Sequence, residues 1–453
     1  MPRMTEETAV AAEVTDLLQH LIRNACVNDG TPSSGHEIRS ADLLEGYLEG
    51  PGLDLESYDA RPGRRSLVAR IEGRDPEAPT LCLMGHTDVV PVTAEHWSRD
   101  PFAGEVVDGE VWGRGAVDML NLTASMAVAV RRLARSGYRP EGTLVYLAVA
   151  DEEAGGINGA EWLTRHQYDA IRADYVLTES GGIHMPTAPG DPARLNITVA
   201  EKGVAWRRLV VTGTPGHGSM PFGADNALVK AAEVVRRLVE FRPRARITEP
   251  WRAYAGSLGL PPETVDAITD PARVWDACHA MADRRTARIA HASTHMSFSP
   301  NVISGGVKTN VIPDEVEIEV DVRVLPGETE QDVSDNIAAA LGDLAPSVEV
   351  GVIAHCGSTA SPVETPLWDV LERVAGRLVP GAGLVPRLTA GGTDARFYRE
   401  KGAVAYGFGL FSPAVTFQEF ASRFHGNDER VDIESLRLST ELWLAVATEV
   451  LGG

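Results

Sequence analysis

The residues best suited to chemistry stand where apolar runs stop. "TLCLMGHTD" closes on His86 and Asp88, "TLVYLAVADEE" on Asp151, Glu152 and Glu153, and "DYVLTES" on Glu179. Asp118 follows a glycine-eased loop in "VWGRGAVDML", and His425 sits in "RFHGNDERV" near the other end. Side chains alternate along a strand with period two, so His86 and Asp88 point the same way if the strand geometry persists. That spacing lets Asp88 accept a hydrogen bond from one imidazole nitrogen while the other nitrogen binds a metal. Taken singly, a histidine after a strand reads as a hydrogen-bonded loop residue and "DEE" as a solvated turn. Three apolar strands that each end in acid or histidine are harder to explain that way. Burying so many carboxylates together costs about several kcal/mol apiece unless cations sit between them.

Strands alternating with helices must position these residues. Val10, Val14, Leu17, Leu18 and Leu21 recur at helical spacing, and Ser34 with Glu37 reads as a capping box opening a second helix. "SLVARIE", "TLCLMGH", "TLVYLAVA" and "DYVLTE" read as strands, and "NLTASMAVAVRRLARSG" as a helix with a glycine stop. The fold class expected is α/β: a mixed, largely parallel sheet with helices on both faces, gathering ligands outside the carboxyl ends of its strands. Near residue 200 the style changes. A helix over about Asn226 to Phe241, a helical stretch from Pro250 to Arg288, and the strict alternation of "VEIEVDVRVL" mark a smaller α+β module with one solvated sheet face. "SVEVGVIAH", "AVAYGFGL" and a helix from about Glu434 read as a return to the first style. The expected division is therefore 1–200 with 326–453 as one domain, and 201–325 as an inserted lid.

At 453 residues the chain exceeds what one core usually supports, which agrees with two domains. A formal charge of -22 repels phosphate backbones and anionic membranes, so neither nucleic acid nor membrane is an expected partner. Cys26, Cys82, Cys278 and Cys356 form no C-x-x-C pair and fit reduced thiols in a cytoplasm. The acidic N-terminal stretch does not read as a signal peptide. "GRGAVD" lacks the third glycine of a dinucleotide fingerprint, and no G-x-S-x-G elbow is found.

The ordered set "GHTDVVP", "WGRGAVDM", "DEE", "TES", "TGTPGHGSMP", "NVIPDEVEIEVDVRVLPGET", "GGTDARF" and "FHGNDERV" resembles the di-zinc amidohydrolases. These are the aminoacylases, acetylornithine deacetylase, succinyl-diaminopimelate desuccinylase and the glutamate-releasing carboxypeptidases. The resemblance implies that Asp118 bridges two Zn²⁺, with His86 and Glu179 completing one site and Glu153 and His425 the other. Oxygen and imidazole ligands without thiolate would also suit Co²⁺ or Mn²⁺. It further implies Glu152 as general base, Asp88 as the partner of His86, and His217 as an oxyanion stabiliser often supplied across a homodimer. Asn310 and Arg323 resemble residues that grip a substrate carboxylate, and Gly391, Gly392, Thr393 and Asp394 resemble a substrate-facing loop. The activity implied is hydrolysis of an N-acyl amino acid or small peptide with a free carboxylate by metal-activated water. A dipeptidase or carboxypeptidase of the same family, or a non-catalytic metal- or ligand-binding protein on this scaffold, stands as the alternative. Two departures, a longer lid segment over 243–297 and Asp428 where some relatives have asparagine, bear on the substrate.

Overall fold

The structure, a computed structural model, describes residues 5–187 and 192–453. A nine-stranded sheet runs in the order Asp54–Arg61, Arg64–Ile71, Leu144–Val149, Leu81–His86, Tyr175–Thr178, Val404–Gly407, Arg194–Glu201 and Thr359–Ala360, with Gly383–Thr389 also paired to Arg194–Glu201. The four strands Leu144–Val149, Leu81–His86, Tyr175–Thr178 and Val404–Gly407 are parallel, so their carboxyl ends share one edge. Antiparallel strands extend the sheet on both sides.

Apolar runs without alternation form these central strands because both faces are covered. In Leu81–His86 every residue is buried. Leu81 and Leu83 face one core, shared with Leu18, Leu21, Val128 and Trp443 from the helices Glu6–Arg23, Leu120–Arg135 and Ile433–Leu451. Cys82 and Met84 face the other, shared with Leu163, Phe397 and Tyr398 from the helices Ala160–His166 and Ala395–Glu400. Among the described residues no helix is long and apolar enough to cross a membrane.

A second, four-stranded antiparallel sheet has the order Ser297–Gly305, Glu315–Val324, Gly203–Thr212 and Val348–Cys356. Its inward residues, such as Val316, Ile318, Val320 and Val322, pack against the helices Ala227–Glu240 and Glu330–Leu341. This corrects the expected boundary at 325/326. "SVEVGVIAH" pairs with Gly203–Thr212, and Val333 and Ile337 of the helix that follows Pro326 lie in the smaller core. An apolar strand is compatible with either sheet, and only pairing decides which one it joins. The helices between Glu249 and Thr294 form a fourth cluster with Met185 and Val385 and bridge toward the larger sheet.

The capping box is also corrected. The helix begins at Ile38, and Glu37 makes no capping bond. Glu37 is instead buried against Arg64 at 2.5 Å, while the Ser34 hydroxyl accepts from the Asp29 N–H.

Candidate metal centre and active-site cleft

The parallel strands deliver His86, Asp151 and Glu179 to one sheet edge, and two loops bring Asp118 and His425 over it. His86 Nε2 lies 3.3 Å from Asp118 Oδ1; His425 Nε2 lies 2.8 Å from Asp118 Oδ2 and 3.4 Å from Glu153 Oε2. Ligand atoms of His86, Asp118 and Glu153 lie within 4.8 Å of one another, and so do those of His86, Glu152 and Glu179. The structure thus gathers the five expected ligands His86, Asp118, Glu153, Glu179 and His425, and places Glu152 beside them. The cluster suits a metal: its donors are oxygen and imidazole nitrogen, and Glu153 Oε1 is buried without a partner among the described residues.

Electrostatics express the same crowding. Burial lifts the carboxyls of Glu152 and Glu179 well above the usual range, reinforced by Glu179 acting on the first and Asp118 on the second. Glu153 is raised by burial and by Asp118. Burial works against a charged Asp118, but its bonds with His425 and His86 win and hold it below the ordinary range. The same bond to Asp118 raises His425 to about 10.

The imidazole of His86 is oriented differently from expectation. Its Nδ1 is 2.9 Å from the main-chain oxygen of Asp88 and 3.5 Å from the carboxylate. The Asp88 carboxylate instead accepts the N–H groups of Glu152 and Glu153 at 3.2 and 3.1 Å and the Asn28 amide at 2.8 Å. It therefore braces the turn that carries both glutamates. Glu429, absent from the expectations, does the same for Asp118. Fully buried beside Arg114, it accepts from the N–H groups of Gly115, Val117 and Asp118. No periodicity announces such a residue; only its place directly after "FHGND" could have drawn attention.

Above this edge opens a cleft of about 1060 Å³. Glu152, Glu153 and Glu179 form its floor, and Trp206, Arg323 and His355 of the smaller sheet form the facing wall. Arg323 donates through Nε and Nη2 to Asp321 at 2.7 and 3.2 Å, leaving Nη1 without a partner among the described residues. Gly391, Gly392 and Thr393 also line the cleft. The Thr393 hydroxyl donates to the buried Glu201 at 3.0 Å and so braces the loop from behind. Asp394 is buried with both carboxylate oxygens unpartnered among the described residues, and burial raises it to about 7.

His217 and Asn310 are not brought to this cleft. Both are exposed, on or beside a two-stranded ribbon in which Gly216–His217 pairs with Val311–Ile312. Asp428 is not among the residues lining the cleft, and its carboxylate accepts from the Ser98 N–H at 2.8 Å.

Comparison with known proteins agrees with this geometry. Aminoacylase-1 from Sus scrofa is 28% identical over 412 residues, covering 90% of this chain and 89% of its own length. The Homo sapiens aminoacylase-1 is 28% identical over 403 residues, covering 88% and 87%. Among solved structures, an M20 family metallo-carboxypeptidase from Sulfolobus solfataricus superposes with a TM-score of 0.71 at 17% identity over 98% of both chains. A dinuclear metal binding peptidase of the M20 family from Bacillus subtilis gives 0.61, also at 17% identity and 98% of both chains. At such identities the structural likeness is one of fold. Residues 82–449 match peptidase family M20/M25/M40, and with a match of that extent on a sheet edge crowded with metal-binding side chains, this chain belongs to that family of metal-dependent hydrolases.

Proposed function

We propose that the chain hydrolyses the amide bond of an N-acyl amino acid, or of a small peptide, that carries a free carboxylate. The observation that supports this most is the convergence of His86, Asp118, Glu153, Glu179 and His425 beneath a cleft whose opposite wall presents Arg323. His86, Asp118 and Glu179 would hold one divalent cation and Asp118, Glu153 and His425 a second, zinc foremost. When bound, such cations act as Lewis acids and make a coordinated water more acidic.

The chain's own groups then divide the remaining work. Glu152, a carboxylate made basic by burial and by Glu179, takes a proton from water and passes it to the leaving amine nitrogen. Arg323 offers its free Nη1 to the substrate carboxylate, and its ion pair with Asp321 fixes the guanidinium plane. His217 and Asn310 stand outside the cleft of their own chain, which favours a homodimer in which they serve the cleft of a second copy. Exposed Met220, Phe222, Val302, Ile303 and Val307 on the same module give such a contact apolar area. The aminoacylase relatives favour the acyl amino acid over the dipeptide. The four free cysteines suit a reducing cytoplasm.

Metal analysis of the purified protein, followed by a ninhydrin screen of N-acyl amino acids and dipeptides, tests the reading. Two bound ions and release of a free amino acid are expected. Bound metal without turnover on the whole panel would instead favour a binding protein on this scaffold.

A further inference from the structure

Beneath the metal hollow lies a polar layer that the proposed reaction does not use. Asn28, Glu37 and Arg64 form it, ahead of residue 82 where the family match begins, and each is at most 3% exposed. Arg64 Nη1 lies 2.5 Å from Glu37 Oε1 and 3.2 Å from Asp151 Oδ1, and Nη2 donates to Asn28 Oδ1 at 3.1 Å. Asn28 Nδ2 in turn reaches Asp88 and Asp151. The chain is moulded around the guanidinium: a Cβ on Gly35, at φ +85°, would meet Arg64 Nη1 at 2.0 Å.

All of this converges on Asp151. It occupies the left-handed region at φ 69°, which a non-glycine residue keeps only where its surroundings over-determine it. Here they do. The Asp151 carboxylate accepts from Asn28 and from the main-chain and side-chain nitrogens of Asn158, and its own N–H donates to Glu37 Oε1 at 3.2 Å. The next two N–H groups are those of Glu152 and Glu153, held by Asp88. Three consecutive amides are therefore fixed from below, by side chains that do not enter the cleft.

We infer that Glu37 and Arg64 are positioning residues: their ion pair holds Asp151 in its left-handed turn and so sets where Glu152 and Glu153 present their carboxylates. This rests on the proposed roles of those two glutamates. A buried ion pair serving folding alone would lower stability without changing the turn or the metal.

The test uses the full chain with Arg64→Met, Asp151→Gly and Glu37→Gln. In metal-free protein, amide hydrogen exchange at residues 151–153 is expected to accelerate about tenfold or more in the first two variants. Competition titration with a chelator should show zinc held about 10–100-fold more weakly, and kcat should fall by a similar factor with KM within about twofold. Glu37→Gln keeps the oxygen that accepts from Arg64 and from the Asp151 N–H but removes the charge, so it should shift both readouts in the same direction by a smaller factor, about two- to fivefold. Should Arg64→Met fail to fold, Asp151→Gly carries the test, because glycine adopts φ 69° without strain. A folded Asp151→Gly protein with exchange, zinc affinity and kcat all unchanged would overturn the inference. Faster exchange in the turn of a protein whose wild type neither binds zinc nor turns over would leave the clamp standing and sink the reading of the site.

Discussion

The sheet-edge hollow and the two-stranded ribbon carry the same kind of sequence signal, a histidine directly after a glycine, and they end in opposite surroundings. His86 is buried at the tip of a central strand with its partners within hydrogen-bond range. His217 stands exposed on a ribbon, its imidazole bonded only to Ser219 among the described residues. The difference teaches where placement comes from. Parallel register forces the strand tips of one sheet together, so His86, Asp151 and Glu179 meet whatever their loops do. A residue on a ribbon outside that sheet goes where its own strands go, and any role in the hollow depends on a rigid-body relation or a second copy.

The largest effect is expected at the hollow. Glu152→Gln should lower kcat by about 10³-fold while both cations stay bound, read by steady-state kinetics beside metal analysis. Activity within tenfold of wild type would remove Glu152 from the proton path and make it one more member of the cation cluster. His217→Ala should cost about 10²-fold in kcat with metal content unchanged. If the ribbon serves a neighbouring copy, mixing His217→Ala with Glu152→Gln protein should restore part of the activity, and no recovery would place the ribbon outside the reaction. Arg323→Ala should act on KM, raising it roughly tenfold or more for carboxylate-bearing substrates, because a charge-assisted hydrogen bond contributes about 1.5–3 kcal/mol. An equal effect on a substrate whose carboxylate is amidated would contradict that role.

The smallest effect sharpens the contrast between histidines. His425 is pushed up by its bonds to Asp118 and Glu153, whereas burial, reinforced by the neighbouring Lys202 and His279, pushes His291 of the helix Arg284–Thr294 down to about 4. Burial also takes His295, stacked on His291 at 4.9 Å, down to about 4. Both imidazoles bind protons more readily when unfolded, so their stabilisation is complete above pH 6.5 and is lost as pH falls toward about 4. Denaturant melts should show a loss on the order of a few kcal/mol across that window, reduced in His291→Phe. An unchanged slope in the variant would remove this pair as its source.

What was legible follows the same division. Apolar runs named the central strands, and the acid or histidine after each named most of the hollow. Asp118 and His425 stood out as an acid and a histidine on loops with no periodic signal, and only the family resemblance gave them a place in the ligand set. Arg323 sits on a strand with strict alternation, so its face could be read, although its bond to Asp321 could not. The roles of Glu37 and Arg64 were hidden because an S-x-x-E spacing is equally a capping signal, and only burial against a guanidinium distinguishes the two. Thr393 and Asp88 were visible as polar residues near the site, but their partners, Glu201 and the 152–153 amides, lie far off in sequence.

The sequence by itself determined which residues would be buried at strand ends, because a central strand has no face for water and its first polar residue marks where the sheet stops. Tertiary structure alone decided which sheet "SVEVGVIAH" joins, which carboxylate braces which turn, and that His217 and Asn310 stay outside their own cleft. Those outcomes depend on contacts between segments tens to hundreds of residues apart, and no local pattern encodes a partner at that distance.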